Sequence, residues 1–210
     1  MIYYSFADRK ENKIALTFDD GPNPPFTLKI LDILDDFEVK GNFFVIGKWA
    51  KQYPAAIEEI YRRGHLIGNH SYNHELNNPE FETADAIIYN ILKIHPIFAR
   101  PPYCYPEAMI ATSQSPLVLN NKIKIIVFDV DPNDNHQPGE EIILKRILDQ
   151  CQNGSIIDLH DGSENPAEWV ERPQQMINVL DKIIKSLKTQ FKISRLDEMN
   201  LIPQTFKNES

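Results

Sequence analysis

The sequence has little cysteine, no long apolar run and no stretch rich in basic residues. Its only two cysteines are Cys104 and Cys151, which excludes a disulfide scaffold and predicts two free thiols. Every apolar run is shorter than the roughly 20 residues that a helix needs to cross a bilayer. The sequence therefore predicts a soluble protein with no membrane span.

The charge balance argues against two classes of partner. The net charge is −8, from 30 acidic and 22 basic residues, and the basic residues are scattered. This distribution disfavours nucleic acid and anionic membranes but permits a neutral sugar. The N-terminal sequence MIYYSFADRKENK lacks the basic region and apolar core of a signal peptide. As written, the chain is predicted to be cytoplasmic, and export stays open if a signal has been removed.

The length and the order of apolar segments predict one α/β domain. A chain of 210 residues with 42% apolar content can bury one sizeable core, and no linker or repeat divides it. We therefore expect a single domain over residues 1–210. Short β-like runs are predicted at 13–18, 42–46, 65–69, 123–128, 155–160 and 191–194. Helical periodicity is predicted within 26–39, 54–64, 79–95, 138–154 and 174–188.

Strands that alternate with helices indicate βαβ units around a parallel sheet. Periodicity alone leaves open whether that sheet is open or closed into a barrel. In both cases the active site forms where the strands end, at their carboxyl edge. Polar residues therefore matter most at that edge.

Five short motifs place such residues after predicted strands or, for RPPY, after a short segment near Ile97 to Ala99. They are TFDDGP with Asp19 and Asp20, GNHSYNH with His70 and His74, RPPY with Arg100 and Tyr103, DVDPND with Asp131 and Asp134, and IIDLHDG with Leu159 and His160. Each motif alone has an ordinary explanation: Asp-Asp-Gly forms turns, and a pair of prolines forms extended segments. Their occurrence together, with complementary chemistry, indicates a reaction site.

The residue types predict metal-assisted hydrolysis of an acyl bond. One aspartate and two histidines make a three-ligand catalytic metal site with one position open for water. The neighbouring aspartate can accept a proton from that water, and Arg100 can keep this base ionised. His160 can protonate the leaving group if an acidic residue tunes its pKa.

The five motifs, in this order, closely resemble the polysaccharide deacetylases, carbohydrate esterase family four, with the NodB-homology domain. The resemblance extends from about Lys13 to Leu201. It implies a distorted (β/α) barrel with fewer than eight units and parallel strands, which selects the closed alternative. It also implies an enzyme that removes acetyl groups from N-acetylated or O-acetylated sugars of a polysaccharide or oligosaccharide.

The resemblance assigns a role to each motif residue. Asp19 is the expected base, Arg100 orients it, and His160 is the general acid, with Asp134 as its first candidate partner and Asp131 as its second. Asp20, His70 and His74 are the expected metal ligands. The backbone N–H of Tyr103 is expected to stabilise the oxyanion, and Leu159 to line the pocket for the acetyl methyl group.

The ligand set predicts a divalent metal, with Zn²⁺ first and Co²⁺, Ni²⁺ or Mn²⁺ also accepted. Three departures from the family pattern concern the substrate: Cys104 replaces a glycine, Asn135 a tryptophan, and the segment 75–99 is short. Two alternatives therefore stay open, an amidohydrolase of small cyclic or linear amides and a catalytically silent carbohydrate-binding domain. The sequence does not indicate the oligomeric state.

Overall fold

The computed structural model describes residues 1–76, 80–165, 167 and 173–206. Within these ranges nine strands belong to one sheet system. They are β1 (Ile2–Ala7), β2 (Lys13–Asp19), β3 (Asn42–Val45), β4 (Leu66–Asn69), β5 (Phe98–Ala99), β6 (Lys124–Ile126), β7 (Ile156–His160), β8 (Lys192–Ile193) and β9 (Leu201–Thr205). All six β-like runs of the sequence overlap one of these strands, which confirms those predictions.

Helices separate most of the strands. They are α1 (Phe26–Asp36), α2 (Gly47–Gln52), α3 (Pro54–Arg62), α4 (Phe81–Leu92), α5 (Pro106–Ser113), α6 (Pro116–Leu119), α7 (Glu140–Gln150) and α8 (Gln174–Lys188). The five predicted helices, α1, α3, α4, α7 and α8, are confirmed. The sequence analysis missed the short α2, α5 and α6, although α5 and α6 begin with proline, a common first residue of helices. No helix in the described ranges has the length and apolarity that a bilayer crossing requires.

The strand order confirms the predicted distorted barrel of mainly parallel strands. The order is β7-β2-β3-β4-β5-β6-β1-β9, and β8 pairs with the start of β2. Every pairing is parallel except that of β1 with β9, which is antiparallel. Isolated bridges join Val130 to Ile157 and Phe6 to Ser155, so that the sheet curls back toward β7.

The two faces of the central strands have different surroundings. Along β2, Ile14, Leu16 and Phe18 belong to the large core that includes the helices. The alternate residues of β2 face the interior of the curled sheet, because successive strand side chains point to opposite faces. This interior is apolar at one end, where Ala15 packs in a smaller core, and polar at the carboxyl end of the strands.

The register of β2 with β7 explains how the polar end is built. Ala15 lies beside Ile156, Thr17 beside Asp158 and Asp19 beside His160. On the interior face of these two strands, the residues therefore change from apolar to ionisable within four positions toward the carboxyl end. This change places the functional groups at one edge of the sheet, as the sequence analysis predicted.

The strands β1 and β9 were not predicted. They pair through residues at opposite ends of the chain, such as Tyr3 with Gln204. Their side chains are mostly half-buried or exposed, so neither segment has a continuous apolar pattern. Pairing between such distant segments requires the folded barrel that brings them together.

Candidate functional site

A cavity of about 360 Å³ opens at the carboxyl edge of the barrel. Its walls include the ends of β2 and β7 and the segment that follows β4. All five sequence motifs contribute a residue to it. The structure thus brings together most of the predicted site residues, although they are spread over more than 140 positions of the chain.

Asp19 and Asp20 approach the same histidine from the end of β2. Asp20 has a φ of 72°, in the left-handed region that aspartate tolerates better than most residues. His70 Nε2 lies 3.5 Å from Asp19 Oδ2 and 3.4 Å from Asp20 Oδ1. Each aspartate is only 3% exposed. Two adjacent carboxylates therefore enter one water-poor site, which requires a compensating positive charge.

Asp20, His70 and His74 form a compact triangle of potential metal ligands. The two histidine Nε2 atoms are 3.1 Å apart, and His74 Nε2 lies 3.4 Å from Asp20 Oδ1. Ligand atoms bound tetrahedrally at about 2.0–2.1 Å from Zn²⁺ are about 3.3 Å apart. The spacing of the three atoms therefore fits a divalent ion of this size.

The local backbone directs both histidines toward that triangle. His70 Nδ1 lies 2.9 Å from the Arg100 carbonyl oxygen, so this nitrogen carries the proton and Nε2 presents its lone pair. The N–H of His74 donates to Ser71 Oγ, and Ser71 and His74 both have positive φ. The two histidines are therefore placed by turns and not by a helix.

The electrostatics of the triangle favour a cation. Burial raises the pKa of Asp20, but the nearby His74, His70 and His160 outweigh burial and lower it far below the usual value. Burial lowers the pKa of His74 to about 4, which keeps it neutral for metal binding. Burial also disfavours the charged form of His70, yet Asp19 and Asp20 raise its pKa. The carboxylates thus stabilise positive charge at this position.

Arg100 is fully buried behind the triangle and connects two strands. Its Nη1 donates to Asp19 Oδ1 at 2.8 Å, to Thr17 Oγ1 at 2.8 Å and to Asp158 Oδ1 at 2.6 Å. Its guanidinium group also lies 4.3 Å from the centre of the Phe44 ring. Arg100 therefore holds one oxygen of Asp19 and leaves the other, Oδ2, directed toward His70.

His160 has a fixed orientation because Asp134 binds it twice. Asp134 Oδ1 lies 2.9 Å from His160 Nδ1, and Asp134 Oδ2 accepts the backbone N–H of His160 at 2.9 Å. Asp131, the second candidate partner, instead accepts the backbone N–H of Asn133 at 2.6 Å. Burial lowers the pKa of His160, but Asp134 and Asp158 raise it well above the usual value. The structure therefore favours Asp134 as the partner.

Tyr103 lies at the rim of the cavity with a φ of 56°. Its ring packs edge-on against His74 with centroids 4.4 Å apart, and its hydroxyl lies 3.5 Å from Glu164 Oε1. These contacts place the residue next to the metal triangle. The role of its backbone N–H as an oxyanion donor stays a prediction.

The assignment of Leu159 to the acyl pocket requires correction. Leu159 is fully buried in the large core and is not part of the cavity lining among the described residues. The reason is the alternation of β7: Asp158 and His160 face the cavity, so Leu159 between them faces the helices. The residue that lines the cavity beside His160 is Asp158.

Sequence reasoning missed Asp158 and Glu164, which both line the cavity. The position of Asp158 could have been predicted from the sequence, because it stands two residues before His160 and therefore lies on the same face of the strand. Burial and the charge of Asp19 raise the pKa of Asp158 well above its usual value, against the effect of Arg100. Glu164 lies in a loop, where no periodicity indicates the direction of a side chain.

Comparisons with known proteins agree with this geometry. The profile of the family described as Polysaccharide deacetylase matches residues 7–115. A peptidoglycan-N-acetylglucosamine deacetylase of Bacillus cereus is 34% identical over 185 residues, which cover 84% of this chain and 64% of that protein. A chitooligosaccharide deacetylase of Sinorhizobium fredii is also 34% identical, over 71% of this chain and 72% of its own length.

A solved structure shows a similar fold. The crystal structure of the Bc1960 peptidoglycan N-acetylglucosamine deacetylase, in complex with an N-hydroxybenzamide compound, has a TM-score of 0.79 and 31% identity to this chain. The match covers 94% of this chain and 92% of that one. The chain spans less than two thirds of the length of the Bacillus cereus relative compared by sequence.

Proposed function

The chain belongs to the polysaccharide deacetylase family, and from this premise we propose that it is a metal-dependent hydrolase of acetylated sugars. Its preferred substrates are N-acetylated units of a polysaccharide or oligosaccharide, with O-acetylated sugars as a related class. One observation carries the proposal: a buried Asp-His-His triangle adjoins an arginine-bound aspartate and an aspartate-bound histidine in one cavity.

The residues Asp20, His70 and His74 would hold the metal, for which we propose Zn²⁺. A divalent ion in this position supplies Lewis acidity, which polarises an acyl carbonyl and makes water more acidic. The buried, mixed nitrogen and oxygen donor set suits Zn²⁺ and also accepts Co²⁺, Ni²⁺ or Mn²⁺.

Asp19 is placed to act as the base. Arg100 binds Asp19 Oδ1, while Oδ2 lies 3.5 Å from His70 Nε2 and faces the triangle. This carboxylate oxygen can accept a proton from water located between Asp19 and the three ligands. The buried guanidinium also fixes the orientation of Asp19, because its Nη1 donates to Oδ1 at 2.8 Å.

His160 is placed to act as the acid on the other side of the reacting bond. Asp134 occupies Nδ1, so Nε2 is the nitrogen that faces the cavity. The raised pKa of His160 favours the protonated imidazole. Because Asp19 and His160 are register partners on β2 and β7, the base and the acid flank the same position. His160 can therefore donate its proton to the departing nitrogen.

A substrate and metal screen tests this function. We expect acetate release from N-acetylated chito-oligosaccharides or peptidoglycan fragments in the presence of Zn²⁺, and its loss after treatment with chelator. Acetylated xylan and small cyclic imides in the same panel distinguish sugar esters and small amides. Hydrolysis of imides alone would contradict the proposal, as would sugar binding that chelator does not affect, without release of acetate from any sugar.

A histidine pair provides the matched control for the metal. We expect His74→Ala to reduce bound metal from about one ion per chain to almost none, because one of three ligands is lost. His95→Ala should keep full metal content, since His95 is exposed and contacts Asp85 and Tyr89 instead. Elemental analysis of the purified variants measures the difference. Equal metal content in both variants would contradict the ligand assignment.

The cytoplasmic location stays a prediction, and cell fractionation tests it.

A further inference from the structure

Asp158 is a buried carboxyl group in the cavity wall to which the proposed mechanism assigns no direct role in proton transfer. It is 3% exposed and lies beside Thr17 in the register of β7 with β2. Its Oδ1 accepts from Arg100 Nη1 at 2.6 Å, and its Oδ2 lies 4.0 Å from His160 Nε2. The Asp158 side chain therefore lies between Arg100, which binds the proposed base Asp19, and the proposed acid His160.

The proposed mechanism gives this carboxyl group no hydrogen bond or proton transfer of its own, although its charge contributes to the raised pKa of His160. Asp19 already has Arg100, and His160 already has Asp134. A second buried carboxyl group competes with Asp19 for the same guanidinium nitrogen, and its burial has a desolvation cost. Its raised pKa reflects that cost. A contact with the substrate would explain why Asp158 occupies this position despite the desolvation cost of its carboxyl group.

The location of Asp158 indicates which part of a substrate it meets. The rim of the cavity carries Tyr103 and Tyr105, which are 44% and 58% exposed and lie stacked with centroids 5.8 Å apart. A sugar ring has the size and the apolar face to contact these rings at the rim. Asp158 lines the same cavity but is only 3% exposed, so a small acyl group has easier access to it than a sugar ring.

We propose that Asp158 is a specificity-determining residue that contacts the acyl substituent of the scissile amide and favours a hydroxyl-bearing acyl group, such as glycolyl, over acetyl. This inference rests on the proposed function and defines its acyl group. A hydroxyl group can donate to a carboxylate or accept from a carboxylic acid, so the contact forms in either protonation state. A methyl group at the same position leaves a desolvated carboxyl group without that partner.

The test compares two substrates that differ by one oxygen atom. N-glycolyl and N-acetyl chitotriose are incubated with the zinc-loaded protein, and the free amine that both reactions release is measured. We expect the wild-type kcat/KM to be at least about tenfold higher for the glycolyl substrate, since sites built for a hydroxyl group discriminate against analogues that lack it.

Substitutions at Asp158 separate specificity from positioning of Arg100. Asp158→Leu should reverse the preference toward the acetyl substrate, and Asp158→Asn should keep part of it, because an amide also bonds to a hydroxyl group. Thr17→Val is the matched control, since Thr17 bonds to the same Arg100 nitrogen at 2.8 Å without lining the cavity. It should lower both kcat/KM values equally and leave their ratio unchanged.

The possible failures are distinguishable. A wild-type preference for the acetyl substrate, or a ratio that is the same in wild type and Asp158→Leu, overturns the role of Asp158 alone. The wild-type ratio decides the question even if the leucine variant does not fold. If the zinc-loaded wild type releases amine from neither substrate and acetate from no acetylated sugar, the proposed function fails, and the inference fails with it.

Discussion

Two arginines of this protein each bind several carboxylates, but their surroundings differ. Arg100 is completely buried and contacts Asp19 and Asp158, whose side chains are 4% and 5% exposed. Arg63, just after α3, contacts Asp32 and Asp35, whose side chains are 67% and 38% exposed. Both arginines pair with two aspartates. The difference between the two groups is burial: the pairs of Arg100 lie inside the candidate site, and those of Arg63 lie at the surface.

The physical reason is the difference in desolvation. Water screens the pairs around Arg63, so their net contribution to stability is small. Around Arg100 the carboxylates have lost their water, and the arginine must replace it. Asp19, with one oxygen bound to Arg100 and the other directed toward His70, fits the role of base that we propose for it. Substitutions in the Arg100 group should therefore affect both catalysis and stability, whereas substitutions in the Arg63 group should have only a small effect on stability.

The largest expected effect is on catalysis. Asp19→Asn should lower kcat/KM by a factor of about 10² to 10⁴, because the amide cannot accept the proton. The metal content should remain, since Asp19 is not part of the ligand triangle. Acetate release and elemental analysis measure the two quantities. Asp32→Asn applies the same change to a partner of Arg63 and should leave kcat/KM unaltered. Near-normal activity of Asp19→Asn would show that the base is another residue.

A large effect on stability is expected from the buried arginine. Arg100→Met should lower the free energy of unfolding by about 3–5 kcal/mol, because it leaves two carboxyl groups buried without their cation. Chemical denaturation monitored by circular dichroism measures this change. If Arg100→Met unfolds no more easily than Arg63→Met, burial does not distinguish the two groups as we describe.

A change of pH dependence is expected at the partner of the acid. The raised pKa of His160 favours its protonated form, the proposed acid, and this form is lost as the pH rises through that pKa. Asp134→Asn removes the charge that contributes most to raising this pKa. The alkaline limb of kcat/KM should therefore move to lower pH, and a pH–rate profile measures this shift.

Asp131→Asn is the matched control for that profile. Asp131 lines the cavity but bonds to the backbone of Asn133, so its variant should keep the alkaline limb closer to that of the wild type. A larger shift in Asp131→Asn than in Asp134→Asn would reverse the assignment of the partner. This comparison decides between the two candidates that the sequence alone proposed.

The smallest effect is expected at the surface. Arg63→Met should change the free energy of unfolding by less than about 1 kcal/mol, and the difference should shrink in high salt, which screens exposed pairs. Its acetate release should equal that of the wild type, because Arg63 is outside the cavity lining. Denaturation at low and high salt measures the first expectation. A loss of several kcal/mol would show that this group is more than a surface contact.

Local signals in the sequence predicted the parallel strands and the group of metal-ligand residues, whereas the closed barrel followed from the resemblance of the five motifs to a known family. Each motif follows a short apolar strand, and parallel strands place their ends at one edge. The one-domain prediction over residues 1–210 and the catalytic roles stay predictions, since their tests are biochemical. The resemblance assigned Leu159 to the acyl pocket, but the alternation of side chains along β7 turns Leu159 toward the large core.

The sequence by itself determined the residue types and their order, which suffice for the family, the fold and the ligand set. Tertiary structure alone decided the contacts between strands: which oxygen of Asp19 Arg100 binds, which aspartate binds His160, and that Asp158 shares the arginine. These contacts depend on the register of β2 with β7 and on burial. Both arise only when strands that are distant in the chain pack against each other, because a carboxylate's solvation and neighbours are set by the folded surroundings.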